Sequence, residues 1–146
     1  MSAWRTPLSL LSCALGVWFC AFSLWLYLPG LAPHYGQREL LLAYYRARQN
    51  PSEPIVGYQM NWKGENFYSG NRLPAFVSSG AKFKSWLDKR QKGGTKVVFF
   101  LTEHGRIGTL KGELGKGARL RTLTDKRVND KFALVRVELG EPPSEP

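Results

Sequence analysis

Thr95–Thr102, TKVVFFLT, decides how the chain is read. Val97 to Leu101 is an unbroken apolar run of five residues, short for a helix and rich in β-branched and aromatic side chains. Such a run suits a strand covered on both faces, the kind found in sheets sandwiched between helices. The segment before it, AKFKSWLDKRQK (81–92), has Phe83, Trp86 and Leu87 at i, i+3 and i+4. That spacing puts one apolar face on a helix. Ser79 is a candidate N-cap, and Gly93-Gly94 stops the helix.

Further out the same alternation continues. GQRELLLAYYRARQNP reads as a helix whose face is Leu40, Leu41, Ala43, Tyr44 and Ala47, ended by Asn50-Pro51. PIVGYQM (54–60) and LPAFV (73–77) are short strand candidates. After the strongest strand, RIGTLKGELG is a helix diluted by glycine. ARLRTLTD suits a strand with a bulge, and FALVRVEL alternates as a closing strand. The expected fold is therefore α/β: a small layered domain over residues 37–139, with a mostly parallel sheet and a C-terminal antiparallel hairpin. Residues 140–146, GEPPSEP, read as a disordered tail.

The amino-terminal part is of another kind. Leu8 to Leu28 holds no charge and, as a helix, extends roughly 31 Å, about the thickness of a bilayer's hydrocarbon core. Trp25 and Tyr27 sit near its end, where amphipathic rings favour the interface. Pro29, Gly30 and Pro33 are expected to break the helix, leaving 29–36 as a linker. The rival reading is a signal peptide, but the run exceeds the usual apolar region and no small-residue cleavage site follows cleanly. A buried soluble helix would need more surrounding core than the remaining residues supply. Arg5 before the span, with no Lys or Arg after it until Arg38, favours residues 1–7 in the cytoplasm and the domain outside it.

The net charge is +10, which favours anionic partners such as lipid headgroups or phosphorylated carriers. Nucleic acid is disfavoured: no aromatic pattern of an RNA-binding strand is present, and the chain carries a membrane anchor. Both cysteines, Cys13 and Cys20, lie in the apolar helix, so the polar part has no disulfide, thiol nucleophile or cysteine metal site. Two histidines, His34 and His104, exclude a histidine-rich metal centre. No phosphate-binding loop, dinucleotide fingerprint or nucleophile elbow occurs, and nothing asks for a cofactor.

Three segments are candidates for binding, because ligands of open α/β sheets sit beyond the carboxyl ends of the strands. The first is NWKGENFYSGNR (61–72). There Asn61 could cap a short helix, Lys63 and Arg72 add charge, Glu65 adds a carboxylate, and Trp62 and Tyr68 could stack on a sugar or pack on lipid. Its structural reading is a turn with aromatics tucked inward. The second is TEHGR (102–106), where Thr102 could cap a helix, Glu103 and His104 could form an acid–base pair, and Arg106 could hold an anion. The third is TDKRVNDK (124–131), where Asp125 could pair with Lys126 or Arg127 in a solvated turn.

Taken together, LYLPGLAPHYGQRELLLAYY, IVGYQMNWKGENFYSGNRLPAFV, VVFFLTEHGRIGTL and LTDKRVNDKFALVRVEL resemble the C-terminal end of bacterial multi-pass glycosyltransferases. These belong to the superfamily of protein O-mannosyltransferases and lipid A aminoarabinose transferases. The resemblance implies a sugar carried on polyprenyl phosphate, a bundle of membrane helices as partner, and an α/β domain outside the inner membrane. The family's catalytic acidic residue sits in a first extracytoplasmic loop with no counterpart here. No residue of this chain inherits that role, so the resemblance implies a chain inactive alone.

Overall fold

The computed structural model describes residues 5–60, 64–115 and 117–140, with backbone only at 5–6, 32–35 and 64–66. The chain divides into two compact units, residues 1–34 and 35–146.

The first unit is helical. Helix α1 (Arg5–Phe22) runs into a π-helical turn, Ser23–Tyr27, and on into α2 (Leu28–Tyr35). The expected break at Pro29 and Gly30 does not occur. A proline inside an α-helix collides with the carbonyl four residues back, which here is that of Trp25. The π turn widens the backbone at that place, with the Leu28 N–H donating to the Ser23 carbonyl five residues back. One helix, Pro7–Leu31, is long and apolar enough to cross a membrane. Along it Leu10, Val17, Trp18 and Trp25 are all exposed. This is what a lipid-facing helix requires.

The second unit is the expected α/β domain. Helix α3 (Arg38–Ala47) precedes β1 (Ile55–Tyr58), α4 (Gly64–Ser69), β2 (Ala75–Phe76) and α5 (Ala81–Lys92). Then come β3 (Val97–Glu103), a single 3-10 turn at His104–Arg106, α6 (Ile107–Leu114), β4 (Arg119–Thr122) and β5 (Phe132–Glu138). The sheet order is β2-β1-β3-β5-β4. β1 is parallel to both β2 and β3, while β5 is antiparallel to β3 and β4. β2 and β4 form the edges.

The alternation of β3 explains the layers. Val98 and Phe100 point to one face, where Phe83 and Leu87 of α5 and Leu110 and Leu114 of α6 cover them. Phe99 and Leu101 point to the other, against Leu40, Leu41 and Tyr44 of α3. β5 splits likewise, with Val135 and Val137 on the first face and Phe132 and Leu134 on the second. The sheet is thus a filling between two helical layers, as the run at 97–101 requires.

Local boundaries follow side-chain chemistry. α3 has Glu39 in its first turn and Arg46 in its last, matching the helix dipole. It ends at Ala47, before Asn50-Pro51, and Asn50 instead closes a turn by accepting from the N–H and hydroxyl of Ser52. α5 is capped by Gly80 rather than Ser79, and with no side-chain bond. β2 reduces to two residues because it pairs only with Gly57 and Tyr58. β4 ends at Thr122, and the Thr124 hydroxyl then accepts the Leu134 N–H at 2.9 Å, where a longer strand would have used its backbone.

Candidate functional site

β1 and β3 are adjacent and parallel, yet the chain leaves them for opposite faces. After β1 it passes to α4, which lies beside α3. After β3 it passes to α6, whose Leu110 and Leu114 pack on the other layer. Such a switch point opens a crevice at the carboxyl ends of the two strands.

Here the crevice is tied shut by polar contacts. The Thr102 hydroxyl donates to the Tyr58 carbonyl at 3.0 Å. Arg106 Nη1 donates to the Gln59 carbonyl, and its Nε lies 3.2 Å from a Glu103 carboxylate oxygen. Gln59 adopts φ 50°, an uncommon conformation for a residue other than glycine, and its amide donates to the Ser79 hydroxyl at 3.4 Å. Thr102 is therefore a buried strand residue rather than a helix cap. Glu103 and Arg106 form a strut between the ends of β1 and β3. Glu103 and His104 engage different partners instead of sharing a proton.

His104 turns toward the next segment. Its Nε2 lies 2.9 Å from the Asn129 carbonyl oxygen, which can only accept, so Nε2 carries the hydrogen. Asn129 is buried and organises the whole turn. Its Oδ1 accepts the Lys131 and Phe132 N–H groups, and its Nδ2 donates to the Gly36 carbonyl at 2.7 Å. Asp125 does not pair with Lys126 or Arg127 as expected. Its Oδ1 accepts the Arg127 and Val128 N–H groups, at 3.0 and 3.3 Å, because an Asx turn satisfies the backbone locally. A cleft of about 580 Å³ lies between His104, Ile107 and the turn, with Lys126 at its wall. Arg127 is exposed and does not line it.

The first segment, residues 61–72, is split by the fold. Asn61, Trp62 and Lys63 lie outside the described residues, as does the side chain of Glu65. Tyr68 is largely exposed and packs edge-on against the exposed ring of Phe67, 5.2 Å between centroids. Helix α4 carries the chain back along the sheet, so Arg72 enters β2 from its amino end, away from Arg106 and His104. It lines a cleft of about 460 Å³ with Arg48 and Arg90. Sequence reasoning passed over Arg48 and Arg90 because each stands at a helix end, where a basic residue has a sufficient reason in the helix dipole.

Tyr58 is the titratable group most affected by the core. Burial raises its pKa above the ordinary 10.0; the nearby Ser79 hydroxyl opposes this, the Glu113 carboxylate adds a smaller rise, and Arg106 lowers it least. Although Ser79 is close, the Tyr58 hydroxyl completes no hydrogen bond of normal geometry. Among the described residues, no three of His, Cys, Asp and Glu are grouped to hold a metal ion. No nucleophile stands beside a base in the contacts above. What the arrangement can do is bind anions at Arg48, Arg72 and Arg90.

No family model, curated protein or solved structure matches the chain significantly.

Proposed function

We propose that the chain is the last membrane-spanning helix and the terminal domain of a glycosyltransferase that draws its sugar from polyprenyl phosphate. In this reading the domain lies on the outer side of the inner membrane and serves a multi-pass helical bundle, which holds the chemistry. The observation that carries it is one lipid-suited helix, Pro7–Leu31, joined to a small α/β domain whose polar groups at the strand ends are consumed in structural contacts. The sequence resemblance supplies the reaction. The test is a blot of source-cell membranes with an antibody to residues 37–139, with cross-linking. A band several times the chain's 16.5 kDa, or a cross-linked multi-pass partner, is expected. A 16.5 kDa band without partner, or sugar transfer by the purified chain alone, refutes the reading.

A second reading is favoured by the cleft at Arg48, Arg72 and Arg90. In it the chain is a membrane-anchored module that binds anionic glycolipid or phosphate groups. Binding of the full chain to acidic but not zwitterionic vesicles is its expected sign.

A further inference from the structure

The amino end of the sheet, opposite the switch-point crevice, carries a concentration of charge that, among the described residues, no ion pair consumes. Two clefts of about 460 and 410 Å³ adjoin there and share Ser52, Glu53 and Arg90. Arg48, Arg72 and Arg90 line the larger, and Lys96 lines the smaller. Glu53 is the one carboxylate among these lining residues, and its Oε2 already accepts the Gln49 N–H at 3.0 Å. Among the described residues none of the four cations forms an ion pair.

Three arginines reach this cleft from three elements. Arg48 follows α3, Arg72 leads into β2, and Arg90 stands in the last turn of α5. Two of them are held in place by aromatic faces. The Arg48 guanidinium lies 4.8 Å from the ring centre of Tyr45 and 5.6 Å from that of Tyr44. The Arg90 guanidinium lies 5.4 Å from the ring centre of Trp86. Stacking fixes the guanidinium plane and leaves its N–H edge free for an oxyanion. Ser69 lines the same cleft, and its hydroxyl is covered without a hydrogen-bond partner. Leaving such a donor unused is costly.

A solvated basic surface would scatter its charges and leave them mobile. Here three guanidinium groups from separate parts of the chain, two of them stacked on aromatic rings, line one recess. One carboxylate matches one guanidinium fork, whereas a tetrahedral, doubly charged group can engage several. We propose that this cleft binds the phosphate group of a larger molecule, with Arg48, Arg72 and Arg90 as its donors. The inference rests on the second reading above and gives that reading a location. The recess is larger than a bare phosphate needs, and the half-exposed ring of Tyr45 offers a face to the group that carries it. A lipid headgroup and a soluble phosphate ester present the same chemistry.

The full chain, held in neutral detergent micelles, is titrated with inorganic pyrophosphate by calorimetry. In zwitterionic nanodiscs it is then mixed with phosphatidylcholine vesicles with or without phosphatidic acid and followed by flotation. The combined R48Q/R72Q/R90Q variant is expected to bind at least about tenfold more weakly, since each lost fork removes charge-assisted bonds. The combined K82Q/K111Q/R121Q variant removes as many charges from exposed sites elsewhere and is expected to bind within about twofold of the parent. Arg72→Lys keeps the charge without the fork and should lose part of the affinity. If the combined arginine variant fails to fold by circular dichroism, Arg72→Gln, at an exposed position, decides alone. Pyrophosphate binding marks a soluble ester as the source, and vesicle binding alone marks a lipid. Undiminished binding by the arginine variants, or equal loss in the control, overturns the site while leaving anion binding standing. A parent chain that binds neither probe overturns both.

Discussion

Replacing Asn129 with alanine tests whether the turn before β5 is held by one side chain. The residue is 2% exposed, and its side chain accepts from Lys131 N at 3.1 Å and Phe132 N at 2.8 Å and donates to Gly36 O at 2.7 Å. A net intramolecular hydrogen bond contributes about 1 kcal/mol, and a partner left buried without a replacement costs more. Phe132 is wholly buried, so its N–H is the group least able to recruit water. These bonds set the expected loss at about 3 kcal/mol. For a domain of this size that lowers the melting temperature by roughly 10 °C or more. The assay is thermal and urea unfolding of the full chain in detergent, followed by near-ultraviolet circular dichroism, which reports the packed aromatics of the domain. Asn129→Asp keeps both acceptor contacts but turns a carboxylate oxygen toward the Gly36 carbonyl, so it should recover only part of the loss. A loss below about 1 kcal/mol for Asn129→Ala would refute the reasoning, because the backbone would then be supporting the turn without it.

Two further outcomes follow from the core. Tyr58→Phe should leave stability unchanged or raise it by up to about 1 kcal/mol at neutral pH, since it removes a buried hydroxyl with no partner. It should also flatten the alkaline limb. The folded-state pKa is raised, so the Tyr58 contribution is intact below the unfolded value of 10.0 and is lost as pH climbs above it toward the folded value. Urea titrations between neutral pH and the alkaline range, comparing parent and variant, read this directly. Phe100→Ala should cost about 3–5 kcal/mol in the same unfolding assay. Its ring is fully buried in the middle strand and meets those of Tyr58 and Phe83 at 6.4 and 6.1 Å.

The fold was legible wherever burial dictates composition. Val98 to Leu101 are fully buried, as an unbroken apolar strand must be in a two-sided layer, and Phe83 and Leu87 cover that strand as their spacing anticipates. Boundaries were less legible, because they depend on partners distant in sequence. LPAFV holds only two strand residues, since only Gly57 and Tyr58 are there to pair with it. Nothing in Pro29-Gly30 announces that a widened turn upstream will let the helix continue. The candidate site was the least legible part. The eye is drawn to the aromatic stretch at 61–72, but helix α4 carries Arg72 to the far end of the sheet. It meets Arg48 and Arg90 there, each distant in sequence and each with a sufficient local excuse for being basic. Convergence of this kind is a property of topology, not of any window of residues.

The two edges of the sheet bear on how copies of the domain meet one another. At high local density an unpaired strand is where one copy zips onto the next. β2 offers only Ala75 and Phe76, too short a ladder to seed such growth. β4 is longer but carries Arg119 and Arg121, so two copies brought edge to edge would oppose like charges. The domain can therefore stand close to its neighbours without polymerising with them.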